Sequence, residues 1–460
     1  MGDDITLASL GLGYRGASAA SVERYVPLGP LYLVSALERA GFRVDFRDLQ
    51  TRAVKRHSME DSSFSVFSGD GGLLEDMAAF LENPAPVLGF SCMSDLLPLA
   101  VLAAELVKER WPRTTIVMGG IGPTGVASRL LSYFPFLDMV ALGGGEETVV
   151  DAMRCIERDG DLMDVGGLMF RRGRRILRTP SRPFIHEVDS IAPPAYHRVD
   201  MSDYTVPGIL TSRGCPFDCL FCDVSPFWGR RSRARSIGGV MEEIRLLRRQ
   251  YGVEYVDLVD DTFTLDKGRV LEFCGAMEGE MPGMTWSCCA RVDGIDEEMM
   301  KAMARGGCRS VAFGVESGSD RVLERLGKGV RTGEILTVLS RSLNYFPEVL
   351  AYFSWGYPFE NMTDFRDTVD FIFRVRSMGV QPWVFSLSPL PLSRLYREFR
   401  NSLRFSEEYC SNYLGIYRRP QVVELVRSYP EVFPGFYYCD PRFPLKFSLA
   451  RDMGLWGMPS

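Results

Sequence analysis

The chain of 460 residues lacks the long apolar segments that anchor proteins in membranes. Its longest apolar run, residues 96–107, is interrupted by Pro98 and Glu105, whereas a membrane-spanning helix needs about 20 predominantly apolar residues. The first residues are acidic at Asp3 and Asp4, where a secretory signal would be basic. These absences predict a protein with no membrane span and a cytoplasmic location.

The composition also lacks the features of a disulfide scaffold or of a nucleic-acid-binding protein. The 11 cysteines are an odd number in a chain without an export signal, so a disulfide framework is not expected. The net charge of -6 gives no overall attraction for nucleic acid, and we expect no nucleic-acid partner. A chain of this length, with 46% hydrophobic and 24% charged residues, is expected to form two or three globular domains.

Strand-like and helix-like segments alternate along residues 1–160. Residues 30–40, for example, carry apolar side chains at helical spacing and are followed by Gly41, a helix-stop signal. This alternation predicts an α/β fold in which a doubly wound, Rossmann-like parallel sheet binds its ligand at the carboxyl ends of the strands. Residues 161–204, with a charged hairpin tip and four prolines, are predicted to be a hairpin and linker.

A second alternating series covers residues 205–395. Residues 253–259, for example, form an apolar strand candidate that leads into Asp260 and Asp261. Repeated strand-helix units of this length predict a partial or full (β/α) barrel, with its chemistry at the carboxyl ends of the strands. Residues 396–460 have irregular spacing and many aromatic residues, and we predict a small C-terminal cap there.

Three of the cysteines stand together in one short segment. Cys215, Cys219 and Cys222 lie within eight residues, and their soft sulfur atoms favour zinc or an iron-sulfur cluster. A structural zinc site would need a fourth ligand, which this segment does not supply. A metal site with only three protein ligands keeps one position open for substrate. The alternative is three core cysteines, which is how we interpret most of the others.

The spacing Cys215-x3-Cys219-x2-Cys222, with Phe221 before the last cysteine, resembles the signature of the radical S-adenosylmethionine (SAM) superfamily. The resemblance covers about residues 205–395 and implies a 4Fe-4S cluster on the three cysteines, with SAM on the fourth iron. Reduction of that cluster cleaves SAM to a 5′-deoxyadenosyl radical. Besides Phe221, the resemblance implies SAM-binding roles for Asp260, Asp261, Ser287, Arg291 and Glu316. For the paired aspartates, capping of the next helix is the alternative.

The first 160 residues resemble the cobalamin-binding domains that are fused to radical SAM barrels. Glycines at the strand ends let the backbone approach a flat corrin, and hydroxyl groups can bond to its amide edge. The residues that the resemblance implies for cobalamin are Ser91, Met93, Ser94, Gly119, Gly120, Thr124, Gly143, Gly144 and Glu146. The alternative is that these residues form ordinary strand-end turns in a sheet that has lost its cofactor.

One motif of many cobalamin domains is missing from this sequence. The chain has no Asp-x-His-x-x-Gly segment, whose histidine ligates cobalt, and its histidines are His57, His186 and His197. Radical SAM relatives often lack this motif as well, so the resemblance to a cobalamin domain stands. The sequence assigns no lower ligand to the cobalt.

Together the two resemblances imply a cobalamin-dependent radical SAM C-methyltransferase. In such enzymes one SAM methylates cob(I)alamin, and a second SAM yields the radical that abstracts hydrogen from an unactivated carbon. The carbon radical then takes the methyl group from methylcobalamin. The substrate is a small molecule, a lipid or a protein residue, such as the glutamine of methyl-coenzyme M reductase that one family member methylates. An external electron donor such as flavodoxin or ferredoxin is expected, and no catalytic side chain is assigned.

Three alternatives remain. The same cofactors can cyclise or rearrange a small-molecule or lipid precursor, and product mass distinguishes that reaction from methylation. A cobalamin-responsive binding protein with a vestigial barrel is a non-enzymatic alternative, which the intact cysteine triad disfavours. A methylthiotransferase would need a three-cysteine site in the N-terminal domain, where only Cys92 and Cys155 occur.

Overall fold

The computed structural model describes residues 2–11, 23–51, 73–414 and 418–455. The chain divides into two compact units, Met1–Val206 with Phe405–Tyr437 and Pro207–Arg404 with Tyr438–Ser460. Within the described ranges, no helix combines the length and the apolar character that a membrane crossing requires. The domain boundaries predicted after residues 160, 204 and 395 stay predictions.

In the described part of the chain, the first unit is built on a seven-stranded sheet of order β2-β1-β3-β4-β5-β6-β7. Its strands are β1 (Ile5–Ser9), β2 (Val44–Asp48), β3 (Val87–Ser91), β4 (Thr115–Gly119), β5 (Met139–Ala141), β6 (Leu168–Arg172) and β7 (Arg175–Arg178). Strands β1 to β5 run parallel, and the hairpin β6–β7 adds two antiparallel strands. The strand order reverses between β1 and β3, where doubly wound sheets bind ligands at the carboxyl ends.

The helices that connect these strands cover the hydrophobic residues of the sheet. They are α1 (Leu28–Arg39), α2 (Leu73–Phe80), α3 (Leu97–Arg110), α4 (Ile121–Tyr133) and α5 (Glu146–Glu157). Helix α3 has Pro98 in its first turn and Lys108 and Arg110 in its last, where proline and positive charge are favoured. Ile5 of β1 and Val34 of α1 are fully buried in the shared core.

The second unit contains a six-stranded parallel sheet of order β8-β11-β12-β13-β14-β15. Its strands, with the small antiparallel pair β9–β10, are β8 (Gly208–Ile209), β9 (Ser212–Arg213), β10 (Arg233–Ala234), β11 (Tyr255–Leu258), β12 (Thr285–Ala290), β13 (Cys308–Glu316), β14 (Glu348–Trp355) and β15 (Gln381–Ser386). Each strand lies beside the preceding strand of the sheet, as in a barrel. Because β8 and β15 are its two edges in the described chain, the sheet is a partial barrel.

Helices follow the strands of this partial barrel. They are α6 (Val224–Phe227), α7 (Ile237–Tyr251), α8 (Lys267–Glu280), α9 (Glu297–Arg305), α10 (Asp320–Leu326), α11 (Thr332–Ser342), α12 (Met362–Ser377) and α13 (Arg394–Phe399). Helix α7 starts where Ser236 Oγ accepts the Gly239 N–H at 3.1 Å, as predicted for a cap, and ends at the left-handed Gly252. The α/β class with a doubly wound sheet followed by a barrel of parallel strands is confirmed.

The C-terminal segment is more regular than its sequence suggests. It forms α14 (Glu407–Leu414), α15 (Pro420–Ser428) and α16 (Phe443–Asp452). Pro420 and Pro444 lie in the first turns of α15 and α16, where proline is tolerated because the missing N–H has no partner within the helix. Helices α14 and α15 belong to the first unit, and α16 belongs to the second.

Candidate functional site

The three predicted cluster ligands lie on one loop of the second unit. Cys215, Cys219 and Cys222 stand between β9 and α6, and all three are unbridged and partly exposed. Leu220, buried at 3% exposure, anchors the middle of this loop, and its backbone N–H donates to the carbonyl of Leu326 at 3.0 Å. The loop therefore combines a fixed backbone with three unbridged, partly exposed cysteines.

The loop begins at a glycine that no other residue could replace without strain. Gly214 has a φ of +87°, and an added Cβ would overlap the carbonyl oxygen of Arg231 and the side chain of Trp228. The Gly214 N–H donates to Asp261 Oδ2 at 2.9 Å. Burial raises the pKa of Asp261 to about 6. Asp261, predicted to contact SAM, thus fixes the start of the cysteine loop.

Asp260 holds the chain just before the cysteine loop through hydrogen bonds to two residues. Its Oδ1 accepts the N–H groups of Thr211 and Ser212 at 2.7 and 3.0 Å, and its Oδ2 accepts their hydroxyls at 2.5 and 2.8 Å. Four donors fill the capacity of a carboxylate, and the contact of Asp260 with SAM stays a prediction. The capping alternative is wrong, because Asp266 caps α8 by accepting the Arg269 N–H at 3.0 Å.

The donor set of the loop fits an iron-sulfur cluster. In the described residues, no group of three His, Cys, Asp or Glu side chains could hold a single metal ion. A 4Fe-4S cluster does not require such a group, because each cysteine binds a different iron. Burial raises the pKa of Cys219 and raises that of Cys222 to about 12, and a bound metal displaces such protons. The cations of Lys328 and Arg291 oppose the rise at Cys219.

Arg291 lies beside the loop, although most of its donors are used within the protein. Its guanidinium stacks 3.7 Å from the ring centre of Phe217 and donates twice to Asp293 at 2.8 Å. It also donates to the carbonyl of Lys328 at 2.6 Å and reaches Cys219 Sγ at 3.8 Å. The predicted SAM residue is therefore a support of the cysteine loop and a positive charge next to one of its thiols.

Ser287 belongs to a hydrogen-bonded set on neighbouring strands. Its Oγ donates to Asp257 and lies 2.6 Å from the hydroxyl of Tyr255. The sequence analysis did not predict that Tyr255 and Asp257 on β11 are partners of Ser287. Their signal was present in the sequence, because Tyr255 and Asp257 alternate with the buried Val256 and Leu258 and therefore share one face of the strand.

Glu316 shows backbone strain at the end of β13. Its φ is +72°, a value that costs a residue with a side chain free energy and that clusters at functional sites. Its Oε1 accepts from Lys328 Nζ at 3.2 Å, and a Cβ on Gly314 would crowd both groups. Lys328 was not predicted. The glycines on both sides of it, Gly327 and Gly329, each with a φ of +72°, were the available signal.

The arginines that follow the loop are engaged in internal contacts. Arg235 is buried and pairs with Glu243 on α7, and it donates to the carbonyl of Leu210 at 3.0 Å. Arg230 pairs with Asp218 at 3.0 Å. Arg235 therefore supports the start of α7 from within the protein.

A buried ionic triad holds the turn after β14. Lys446 Nζ contacts Glu360 Oε2 at 2.7 Å and Asp440 Oδ2 at 2.6 Å, and all three side chains are 0% exposed. The same Glu360 oxygen accepts the N–H of Gly356 at 2.9 Å. Asp440 and Lys446 both come from the C-terminal segment.

In the first unit, the predicted cobalamin residues gather at the ends of β3 and β4. Ser91 and Gly119 are register partners at the ends of these strands. An added Cβ at Gly120 would lie 2.5 Å from the carbonyl oxygen of Cys92, and one at Gly122 would lie 2.7 Å from Met93 backbone atoms. The glycines therefore let α4 pack directly under the loop that follows β3.

This loop has two features that fit a large planar ligand. Ser94 Oγ is buried and has no hydrogen-bond partner in the described ranges, so a buried polar group is available for one. Met93 beside it is 62% exposed, which is unusual for a large apolar side chain at the switch point of a sheet. An unpartnered hydroxyl next to an exposed apolar side chain suits the amide edge and the apolar face of a corrin.

The other predicted residues of this unit shape the next strand end. Thr124 Oγ1 accepts the N–H of Gly143 at 3.2 Å, and Gly143 has a φ of +75° with open space where a Cβ would stand. Gly144 follows on this turn and is partly buried, and Glu146 is buried at 8% exposure in the first turn of α5. His57 lies outside the described residues.

Comparison with known proteins decides the family. Residues 209–372 match the radical SAM superfamily, and residues 14–153 match the B12 binding domain. An uncharacterized methyltransferase of Pyrococcus horikoshii is 30% identical over 328 residues, which is 70% of this chain and 71% of the relative. This chain belongs to the cobalamin-binding radical SAM family.

A cyclase and a solved methyltransferase structure are also similar to it. An anaerobic magnesium-protoporphyrin IX monomethyl ester cyclase of Synechocystis is 29% identical over 358 residues, or 75% of this chain and 67% of the relative. The solved structure of the radical SAM methyltransferase TsrM from Kitasatospora setae, with tryptophan substrate and a SAM analogue, has a TM-score of 0.70. That match has 16% identity and covers 99% of this chain and 89% of the other.

These matches confirm several predictions made from the sequence. The family, an enzyme of the radical SAM methyltransferase kind and the cofactors 4Fe-4S, SAM and cobalamin are all confirmed. The non-enzymatic alternative has no support in these matches. The individual cofactor-binding residues remain predictions.

Replacing Ser94 in this radical SAM family member tests whether its hydroxyl binds the amide edge of cobalamin. Ser94→Ala is expected to weaken cobalamin binding about five- to tenfold, because one neutral hydrogen bond contributes about 1 kcal/mol. The melting temperature of the cobalamin-free protein should not change, since Ser94 Oγ has no protein partner in the described ranges to lose. Absorbance titration with cobalamin measures the affinity. Ser132→Ala, on the exposed side of α4, is the control, and equal affinities in both variants would contradict the assignment.

The pH dependence of stability tests whether Asp48, in the first unit, keeps a proton in the folded protein. Burial raises the pKa of Asp48, at the end of β2, to about 6, although the hydroxyl of Tyr204 donates to it at 2.6 Å. Between about pH 4 and pH 6 the folded protein holds a proton that the unfolded chain has released, so stability falls as pH rises. The loss levels off above this window and amounts to up to about 3 kcal/mol.

Asp48→Asn should remove this dependence. Its melting temperature relative to that of the unmodified protein is expected to increase from pH 4 to pH 6 and then to stay constant, because asparagine does not ionise. Calorimetry of both proteins at several pH values measures the difference. A difference that is constant across the whole range would show that Asp48 ionises normally.

Proposed function

We propose that this chain transfers the methyl group of SAM, by way of cobalamin, to an unactivated carbon of a small molecule. The observation that carries the proposal is a fixed loop with three unbridged, partly exposed cysteines. The same chain has, at a sheet switch point, a buried Ser94 hydroxyl that has no hydrogen-bond partner among the described residues. When bound, the cluster and SAM supply a carbon-centred radical and cobalamin carries the methyl group. The protein supplies the binding and orientation described below.

The cysteine loop would hold the cluster. Cys215, Cys219 and Cys222 would each ligate one iron, and the bond from Gly214 to Asp261 keeps the backbone in place. Arg291, 3.8 Å from Cys219 Sγ, favours the thiolate form of that ligand. Glu316 and Lys328 form a partly enclosed ion pair at the end of β13, where barrels place their chemistry.

The loop after β3 would hold cobalamin. Ser94 can donate its hydroxyl to an amide of the corrin edge, and Met93 can cover part of the apolar face. Gly120 and Gly122 keep the backbone of this loop close to α4, so its shape does not depend on the ligand. Such pre-organisation lowers the conformational entropy lost on binding.

The names of the related proteins support the proposal that the substrate of this chain is a small molecule. The cyclase relative acts, by its name, on a porphyrin ester, and the TsrM structure contains tryptophan. A glutamine in a protein, which the sequence analysis also considered, has no support in these relatives. We therefore do not propose it.

The electron must come from outside the described chain. Its remaining cysteines are dispersed, and burial raises the pKa of Cys274 and Cys289 to about 12, so these thiols stay protonated. We propose a small redox protein of the flavodoxin or ferredoxin type as donor.

A second candidate is cyclisation or rearrangement with the same cofactors. The 29% identity to the cyclase over 75% of this chain favours it. In that case SAM would be cleaved to 5′-deoxyadenosine, but its methyl group would not be transferred.

The experiment that separates the two needs no substrate. The anaerobic holoenzyme is incubated with SAM and titanium citrate, and S-adenosylhomocysteine and 5′-deoxyadenosine are quantified. A methyltransferase is expected to release S-adenosylhomocysteine in an amount equal to the bound cobalamin, and none from protein prepared without cobalamin. Release of 5′-deoxyadenosine alone would overturn the proposal in favour of cyclisation or rearrangement.

A further inference from the structure

The strands of the partial barrel have two different faces. On β13, Val311, Phe313 and Val315 are fully buried, and they alternate with Ala312 and Gly314. On β14, the ring of Phe353 lies 6.1 Å from that of Phe371 on α12, so Phe353 is on the face that the helix covers. We call the opposite face, which contains Ala312 and Gly314, the inner face.

Three aromatic side chains stand together on this inner face. The ring of Tyr352 on β14 is 5.4 Å from that of Trp383 and 6.1 Å from that of Phe385, both on β15. Trp383 packs with Ala312 and Leu350 in a small core of its own. We call Tyr352, Trp383 and Phe385 the inner-face aromatic cluster.

One member of the cluster is unusually accessible. Phe385 is 50% exposed with all described residues in place, whereas its neighbour Val384, on the helix-covered face, is 4% exposed. A large apolar side chain that is exposed on the concave side of a sheet is typical of a ligand site, since such sites are mostly apolar with few polar groups.

The register of the sheet places the cluster beside the strained end of β13. Gly314 is the partner of Tyr352, which in turn is the partner of Trp383. Glu316 follows Gly314 by two residues, and Ser354 is the partner of Phe385 near the carboxyl end of β15. The cluster therefore continues the strand ends where barrels carry out their chemistry.

The charged group nearest to the cluster along the strands is engaged within the protein. Glu316, at the end of β13, forms an ion pair with Lys328. This ion pair is thus satisfied within the protein, while the ring of Phe385 is not covered by the described residues. This distribution favours an uncharged apolar surface on the ligand.

We propose that the inner-face aromatic cluster binds the substrate, and that the substrate presents a flat, apolar ring system to it. This inference rests on the proposed function and names its substrate class. Tyr352 is inclined at 54° to Trp383 and at 60° to Phe385, so the rings form an angled wall. Such a wall binds ring faces and edges, which contribute stabilisation beyond buried area, better than it binds a flexible alkyl chain.

Binding of a ring probe tests the proposal. Protoporphyrin IX is titrated into the anaerobic holoenzyme, tryptophan fluorescence is recorded, and palmitate serves as an apolar carboxylate without rings. We expect the porphyrin to bind more tightly than palmitate. Phe385→Ala and Tyr352→Leu should each weaken porphyrin binding about five- to tenfold, since each removes one aromatic contact.

The control is Phe373→Ala, which removes a 44% exposed ring from α12, the helix that covers the opposite face of the sheet. Equal weakening by this variant, no porphyrin binding, or palmitate binding of equal strength would each overturn the proposal. Release of S-adenosylhomocysteine is measured in the same unmodified preparation. If S-adenosylhomocysteine is released but the porphyrin does not bind, only the proposal on the inner-face aromatic cluster is wrong. If the porphyrin binds but no S-adenosylhomocysteine is released, only the proposed methyl transfer is wrong.

Discussion

Cys219→Ala is expected to abolish assembly of the iron-sulfur cluster. The variant removes one of three thiols on a loop whose backbone is fixed at Gly214 and Leu220, so no neighbouring side chain can take its place. Iron and acid-labile sulfide in the reconstituted protein should fall to a small fraction of the normal content, and reductive cleavage of SAM should stop. Because the thiol is a ligand and not a packing residue, the circular dichroism spectrum should be preserved.

The matched control for this result is Cys155→Ala. Cys155 lies on α5 of the first unit, is partly exposed and belongs to no group of clustered cysteines in the described ranges. Its replacement should leave iron and sulfide unchanged. A Cys219→Ala protein that retains the full iron content would show that the loop does not hold the cluster.

Lys446→Met should cause the largest loss of stability among single substitutions in the second unit. It leaves Glu360 and Asp440 buried at 0% exposure without the cation that both contact. Removing one partner of a buried ion pair costs about 3–5 kcal/mol, because the remaining charge is uncompensated. Urea unfolding followed by fluorescence should show a much lower midpoint with an unchanged slope.

Two further variants show whether the loss of stability comes from the unpaired buried charges. Lys301→Met removes an exposed lysine that pairs with Glu297 one helical turn away, and its midpoint should not change measurably. Combining Lys446→Met with Glu360→Gln and Asp440→Asn removes all three charges, so much of the lost stability should return. A triple variant no more stable than the single one would show that packing of the lysine, and not charge, is decisive.

Strand ends and the cysteine loop could be predicted because they are local patterns. The alternation of segments indicated both sheets, and the spacing of Cys215, Cys219 and Cys222 by itself indicated a metal cluster. Each of these signals is contained within about a dozen residues, the range over which strand and helix periodicity is visible.

The contacts that decide individual roles join residues that are distant in the chain. Lys446 meets Glu360 across 86 positions, and no pattern in the sequence identifies one as the partner of the other. Asp260, predicted to contact SAM, accepts hydrogen bonds from Thr211 and Ser212, which lie 49 and 48 residues earlier. Composition indicates that such buried charges need partners, but only the fold selects them.

The central claim is that one chain binds both an iron-sulfur cluster and cobalamin. It is tested most directly by measuring both cofactors on protein purified without oxygen. Iron, sulfide and the cobalamin absorbance spectrum are determined on the same reconstituted sample. About four irons and four sulfides per chain, with cobalamin in equal molar amount to the protein, are expected for the methyltransferase. A full iron content without bound cobalamin would contradict it, because the methyl group would then have no carrier.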